Sequence, residues 1–326
     1  MRAIIFDHPG EPEVLKLGEF EKPVPKEHEI LVKVAATALN RADTLQRKGN
    51  YPPPKGASPI LGMEIAGTIV QAGDSESRWH KGDKVFGLIP GGGYAEYAVI
   101  HQDMAKKMPQ YFSYEQAAAI PEVFLTAYQA LVWQGRLQKG ETILVHAGAS
   151  GVGTAAIQMA KEMGARVFVT ASKMKHKICL DLGAERAIDY QSEDFSERVL
   201  EYTNGKGVNL IIDFVAGSYL NQNIKSLAVD GKMISLATLG GGKVDDFDMR
   251  DILSKRLTII GSTLRSRSID YQIKLTKEFA TYALEKFSSG RFKPVIDSVF
   301  DWNEAAKAHR YMEANKNSGK IVLKVT

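Results

Sequence analysis

The sequence predicts an α/β fold in which a doubly wound parallel sheet is inserted in a β-rich domain. Three observations lead there. About the first hundred residues are β-rich runs broken by proline and glycine. From about residue 122, short apolar strands alternate with helices of about 10 to 15 residues, the pattern of βαβ units on a parallel sheet. A glycine-rich turn then joins one of those strands to the helix that follows it. The length, 326 residues, suits about two domains, and 44% hydrophobic with 25% charged residues is ordinary for a globular chain.

In the first part, residues 30–35 and 65–70 read as strands, set among the breakers Pro23, Pro25, Pro52, Pro53, Pro54, Pro59 and Gly91 to Gly93. Gly82-Asp83 signals a turn ahead of a strand at 84–87. Residues 122–133 have helical spacing, with Phe124, Tyr128 and Leu131 toward one side. A buried strand at 142–145 leads to a helix at 154–163 closed by Gly164, and a strand at 166–170 leads to a helix at 173–182 closed by Gly183. Further strands are expected at 187–189, 210–214, 232–236 and 257–261. An amphipathic helix covers 273–287. The last strand, 320–325, resembles the edge strands of the first part, so the tail is expected to return and pack there.

Composition excludes several functions. A balance of 42 basic against 38 acidic residues, net +4 and scattered along the chain, argues against nucleic acid or an anionic membrane as partner. A single cysteine, Cys179, allows no intrachain disulfide and no thiolate-rich zinc site. None of the seven histidines lies in an HExxH or cysteine-rich cluster, so no metal is expected. The N-terminal apolar run stops at Asp7, too short for a signal core, and no run of about 18 apolar residues exists. A cytoplasmic location is the expectation.

The sharpest local signal runs from Thr142 to Gly153, a strand, a turn and a helix start with the spacing Gly148-x-x-Gly151-x-Gly153. Gly148 is read as the tight turn, Gly151 as the point where backbone approaches a pyrophosphate, and Gly153 as the close helix–strand contact. With Ser150 and Val152 they offer free N–H groups and a helix dipole to an anion. A plain glycine-rich turn is the alternative. Dinucleotide sites that take NAD place a carboxylate about 20 residues on. Here residues 169–177 carry none, but hold Ser172 and the lysines Lys173, Lys175 and Lys177. That composition suits a 2′-phosphate, which favours NADPH over NADH; a solvated lysine face is the alternative.

Residues 140–161, with Gly148 to Gly153 and Gln158, resemble the signature of the zinc-independent, zeta-crystallin-like quinone oxidoreductases of the medium-chain dehydrogenase/reductase superfamily. Segments 38–43, 46–51, 117–122, 264–267 and 311–317 resemble the p53-inducible quinone oxidoreductase subgroup, and the likeness covers essentially the whole chain. It implies a GroES-like catalytic domain of residues 1–121 plus 266–326, and a Rossmann dinucleotide-binding domain of residues 122–265. It also implies that the superfamily's zinc ligands are missing, because Asn40 stands at a cysteine position and Met63-Glu64 at a His-Glu pair. A dihydronicotinamide would then need an acceptor that is electrophilic by itself, such as a quinone.

The resemblance further places Asn40 and Tyr51 beside nicotinamide and substrate as catalytic and cofactor-binding residues, as donors to the acceptor oxygen or as ring positioners. It sets Thr126 near the nicotinamide, and Lys175 and Tyr190 near the 2′-phosphate. Val215, Leu236, Thr263 and Leu264 fall at strand ends, and Asn317 reaches the cofactor from the tail. Read from the residues alone, the alternatives are a buried strand-end asparagine for Asn40, a turn-packing aromatic for Tyr51, a strand cap for Tyr190 and a turn residue for Asn317. Arg41 and Asp43 are read as a local pair. The expected protein is an NADPH-dependent quinone reductase and a homodimer acting on a small molecule. The alternatives are a reductase of activated C=C bonds in enones, alkenals or enoyl thioesters, and a structural or RNA-binding zeta-crystallin-like protein.

Overall fold

The computed structural model describes residues 1–73, 77–244 and 246–326. The chain divides into two compact units, Met1–Leu125 with Arg265–Thr326, and Thr126–Leu264. No helix among the described residues is long and apolar enough to cross a membrane.

The first unit is built around the strand Glu29–Ala38, whose residues are mostly buried. Along most of its length it pairs antiparallel with Glu64–Ala72. On its other side it changes partner: residues 29–33 pair with Tyr97–His101, and residues 36–38 with Lys320–Lys324. Breaks in register after Leu31 and Val34 accompany this change. At Gly67 a Cβ would lie 2.1 Å from the Lys33 carbonyl oxygen, so only glycine fits where the two strands draw together. The sheet continues through Lys84–Leu88 to Lys106–Lys107.

The C-terminal strand is not edge-like, contrary to the sequence reading. It lies inside the sheet, with Ile296–Asp301 parallel on one side and Glu29–Ala38 on the other. Its Ile321, Val322 and Leu323 are fully buried, as an unbroken apolar run demands when both faces are covered. The edge belongs to Ile296–Asp301, a strand the reading missed because its polar alternation with a half-exposed Val299 gives a weak signal. The strand meets a core of Ile4, Leu39, Leu61, Trp302, Met312 and Leu323. Each large side chain buried in such a core contributes about 1.5–3 kcal/mol.

The second unit carries a six-stranded sheet among the described residues. Its order is Arg186–Ile188, Arg166–Thr170, Thr142–Val145, Val208–Asp213, Leu227–Ser235 and Thr258–Gly261, every pairing parallel. In strand sequence this is 3-2-1-4-5-6, the Rossmann order. The first strand, Thr-Ile-Leu-Val, is buried throughout. Its helix, Gly151–Glu162, starts three residues earlier than the sequence suggested, because the Ser150 hydroxyl caps it by accepting from the Gly153 N–H. The helix expected at 122–133 is Pro121–Tyr128, followed by a wider π-type stretch, Gln129–Gln134. A core of Leu144, Phe168, Phe195, Val208, Ile211 and Met233 packs on one face of the sheet.

A buried polar chain threads the first unit. Arg47 donates to His309 Nδ1 at 3.1 Å and to Glu313 at 2.8 Å. Arginine cannot accept, so neutral His309 carries its proton on Nε2 and donates to the Tyr94 hydroxyl at 3.2 Å. Burial, with the charges of Asp43 and Glu64, holds the Tyr94 phenol well above its usual range. Burial, reinforced by the Arg47 charge, pushes His309 down to about 3. A base lowered on folding contributes stability that is present above its unfolded value near 6.5 and is lost as pH falls toward 3. Between those limits the loss approaches about 1.4 kcal/mol per pH unit. Thermal melts of the wild type and His309→Gln at pH 7 and pH 5 are therefore expected to differ, the wild type losing more melting temperature on acidification.

Candidate functional site

In the second unit the site begins at the end of the strand Thr142–Val145. The left-handed residue of the glycine loop is Ala147, at φ 47°, and not Gly148 as the spacing suggested. Gly148 is needed for another reason: a Cβ there would meet the Val169 Cβ at 2.7 Å. Gly153 also differs from expectation, since its missing Cβ makes room for the carbonyl oxygens of Ala147 and Gly148, 2.4 and 2.6 Å away, rather than for the strand. The helix start thus folds tightly onto the turn. Ser150 takes the Gly153 N–H at 3.0 Å, and the N–H groups of Gly151 and Val152 have no acceptor among the described residues. Two open donors at the positive end of a twelve-residue helix fit a diphosphate.

The remaining candidates of this unit stand at the C-terminal ends of the strands, where open parallel sheets bind ligands. Ser172 is half-buried just beyond Arg166–Thr170 and opens a helical turn, Lys173–Lys175. Lys175 is half-buried as well, and Tyr190, beyond Arg186–Ile188, is exposed. Val215 follows Val208–Asp213 and donates to the buried Asp213 carboxylate at 2.8 Å. Leu236 follows Leu227–Ser235, and Thr263 and Leu264 follow Thr258–Gly261. Thr126 is buried on the helix Pro121–Tyr128, and the Thr263 carbonyl accepts from Gln129 at 3.3 Å.

One residue here escaped the sequence reading. His146, inside the glycine-loop segment, is fully buried, with Nδ1 2.9 Å from the Thr170 hydroxyl and Nε2 2.7 Å from the Asn223 amide oxygen. Its ring stands edge-on to Phe195 and Tyr219. Burial lowers its pKa, so a neutral imidazole bonds the end of one strand to its neighbours.

In the first unit, Asn40 ends the strand Glu29–Ala38 and caps the helix Arg41–Arg47. Asp43 accepts from the Asn40 N–H at 2.8 Å and from the Gly62 N–H at 3.0 Å. Arg41 does not pair with Asp43; it bonds to Asn315 instead. Burial pushes Asp43 up to about 6, against its two backbone bonds and the charges of Lys320 and Arg265. Stability tied to this raised carboxyl is present below its ordinary value of 3.8 and is lost as pH rises through about 6, opposite in sign to His309.

The Asn40 side chain is held from both ends. Its Nδ2 donates to Glu64 Oε1 at 2.8 Å, and its Oδ1 accepts from Lys320 Nζ at 2.7 Å. Lys320 also donates to Glu64 Oε1 at 2.8 Å and to the Leu39 carbonyl at 2.7 Å, so all three of its protons are used. Glu64 Oε2 accepts from the Glu122 N–H at 2.8 Å. Lys320 was not among the candidates; its only sequence signal is a lysine at the head of a buried apolar run. Asn317 donates to the Gly319 carbonyl at 2.8 Å in the turn before that strand. Tyr51 is half-buried in the loop beyond the helix, its ring 5.5 Å from the Arg265 guanidinium carbon. Burial raises its phenol pKa, with Arg265 opposing.

Removing one partner of the Lys320–Glu64 pair strands the other charge in the interior. Lys320→Met is expected to lower stability by about 3–5 kcal/mol, and adding Glu64→Gln to recover most of it. Urea unfolding of the two variants against wild type measures both.

Comparison with known proteins follows this geometry. Residues 26–110 match the family described as alcohol dehydrogenase GroES-like domain, and residues 151–285 that described as zinc-binding dehydrogenase. Among the described residues, no cluster of three or more His, Cys, Asp or Glu is placed to hold a metal. A quinone oxidoreductase of Homo sapiens is 33% identical over 334 residues, covering 99% of this chain and 97% of the human protein. The structure resembles a quinone oxidoreductase of Pseudomonas syringae pv. Tomato DC3000, with TM-score 0.89, 32% identity and 99% of both chains covered. A mycobacterial protein solved in complex with NADPH has TM-score 0.89 and 28% identity over 99% of this chain and 100% of its own. Likeness of that extent in sequence and fold places the chain in the zinc-independent quinone oxidoreductase family of the medium-chain dehydrogenase/reductase superfamily, NAD(P)-dependent oxidoreductases with a GroES-like and a Rossmann domain.

Proposed function

We propose that the protein is a cytoplasmic NADPH-dependent quinone reductase that works without a metal ion. One observation carries the metal-free reading: the Lys320 ammonium lies 2.8 Å from the Glu64 carboxylate, whose other oxygen is taken by the Glu122 N–H. A metal at Glu64 would have to sit beside a buried ammonium, and the two cations repel. The acceptor must then be electrophilic by itself, as a quinone is. The cytoplasmic reading rests on the cysteine count of one, typical of a chain that does not rely on disulfides.

When bound, a dihydronicotinamide would supply the hydride for quinone reduction, and the reduced oxygen would take its proton from water. The chain's own part is to bind and orient. The open N–H groups of Gly151 and Val152 hold the diphosphate, aided by Ser150, Gly148 and Gly153. Val215, Leu236, Thr263, Leu264 and Thr126 line the nicotinamide end, and Asn317 adds a tail contact. Ser172 and Lys175, with Tyr190, take the 2′-phosphate, because an anion meets no carboxylate in residues 170–177. Tyr51 donates to the acceptor oxygen. The Asn40 amide is engaged by Lys320 and Glu64, which suits a positioning role.

Stopped-flow oxidation of NADPH by 1,2-naphthoquinone, with EDTA present, tests the reading. Turnover is expected at micromolar enzyme; none would sink it, and turnover of alkenals alone would move the assignment to C=C reduction. Replacing Ser172 with Asp and Lys175 with Ala together is expected to raise the NADPH Michaelis constant about 10- to 100-fold and the NADH constant far less. Equal changes would refute the 2′-phosphate assignment.

We also propose a homodimer. Among the described residues the strand Thr258–Gly261 pairs on one side only, and Ile259 on it is 42% exposed. Leu253 and Met249, on and beside the preceding helix, are 82% and 62% exposed. An open edge flanked by apolar side chains suits pairing with a second copy about a two-fold axis. Light scattering is expected to give twice the chain mass, and Ile259→Lys to shift the protein to monomer; a monomeric wild type refutes the dimer.

A further inference from the structure

Among the described residues, three cationic side chains of the first unit are buried: Arg47, Lys320 and Arg265, at 0%, 3% and 8% exposure. Arg47 has the Glu313 carboxylate at 2.8 Å, and Lys320 has Glu64 at 2.8 Å. Arg265 has no carboxylate in contact. Its Nε donates to the Pro90 carbonyl and its Nη2 to the Gln46 amide oxygen, both at 2.8 Å and both neutral acceptors. Its Nη1 is buried with no hydrogen-bond partner among the described residues. The nearest negative charge that acts on it is Asp43, which makes no ion pair or hydrogen bond with it, so a buried cation keeps one donor unmade at a cost to folding.

The surroundings hold that guanidinium in place. Gln46 is itself anchored by donating to the Pro59 carbonyl at 2.9 Å, so the fork is fixed through two of its three nitrogens. Tyr51 covers the guanidinium with its ring, 5.5 Å away. Tyr51 lies outside any helix or strand, ahead of three prolines, and its hydroxyl makes no hydrogen bond among the described residues. Arg265 Nη1, on an anchored guanidinium, and the Tyr51 hydroxyl beside it are thus two unused donors, one of them charged, in one unit of the protein.

We propose that Arg265 is a further acceptor-binding residue: Nη1, together with the Tyr51 hydroxyl, receives the acceptor oxygen on which negative charge accumulates during reduction. The ligand class is a phenolate or enolate oxygen. The inference deepens the quinone reductase reading and rests on it for that class. The unmade Nη1 bond is what the reduced acceptor fills, and a cationic donor makes that bond stronger to the charged oxygen than to the neutral quinone. Guanidinium stays protonated across the working pH range, and its fork presents Nη1 while the other two nitrogens stay anchored.

Equilibrium binding tests this without turnover. The full-length protein is titrated with 2-hydroxy-1,4-naphthoquinone, an enolate anion in neutral buffer, and with neutral 1,4-naphthoquinone, following quenching of protein fluorescence. Wild type is expected to prefer the anion at least about tenfold, and Arg265→Gln to lose that preference while binding NADPH as before. Arg265→Lys, which keeps the charge but not the fork, is expected to retain part of it. Quinone kcat/KM should fall about 100-fold in Arg265→Gln with the NADPH Michaelis constant unchanged, the scale of losing one oxyanion donor. A wild type that binds both ligands equally, or an Arg265→Gln variant that keeps the preference, overturns the proposal. If Arg265→Gln does not fold, Arg265→Lys and Tyr51→Phe decide instead, and an unchanged anion preference in both overturns it. An Arg265-dependent preference in a wild type that reduces no quinone keeps this site and fails the reductase reading; quinone turnover without the preference does the reverse.

Discussion

A lysine ammonium buried against a carboxylate organises the first unit. Lys320 and Glu64 are 256 residues apart in sequence and 2.8 Å apart in space. Both are almost wholly removed from water, so neither charge is tolerable without the other. The pair therefore specifies which strand the C-terminal segment must join and in what register. Lys320 reaches Glu64, the Leu39 carbonyl and Asn40 together only when Val322 faces Ala38. Asn40 is then locked by its neighbours, and through its N–H it orients Asp43.

The other buried ionisable groups of this unit are handled by similar means. His309 is kept neutral by burial and by an arginine that can only donate to it, and it donates onward to Tyr94. The pH effects of Asp43 and His309 oppose each other, because one is an acid raised by burial and the other a base lowered by it. Against this background of satisfied groups, Arg265 stands out chemically. Of the buried side-chain atoms left without a hydrogen-bond partner among the described residues, Arg265 Nη1 is the one on a charged group.

The second unit solves a different problem, presenting backbone donors to an anion. Its glycines serve close approach more than turning: the left-handed residue is an alanine, while Gly148 and Gly153 sit where any side chain would strike a neighbouring valine or the turn's own carbonyls. Tight folding of the helix start onto the turn is what leaves the Gly151 and Val152 N–H groups together and open. The neutral His146 bonds the end of the first strand to Thr170 on the second and to Asn223 on the helix Leu220–Ser226, and adds no charge.

The sequence by itself determined what depends on local pattern. The strand–helix alternation, the glycine loop, the missing carboxylate after the second strand and the family likeness are all legible within short windows, because periodicity and turn chemistry act over a few residues. Helix Gly151–Glu162 was misjudged only at its start, where a serine cap extends it. Tertiary structure alone decided the rest. Nothing near Lys320 or Arg265 in sequence announces a buried cation, because each is defined by groups far away along the chain: Glu64 for one, Gln46 and Pro90 for the other. Whether a charged residue is solvated, paired or left waiting for a ligand depends on desolvation and on distances of a few ångströms, and those are set only when distant strands come together.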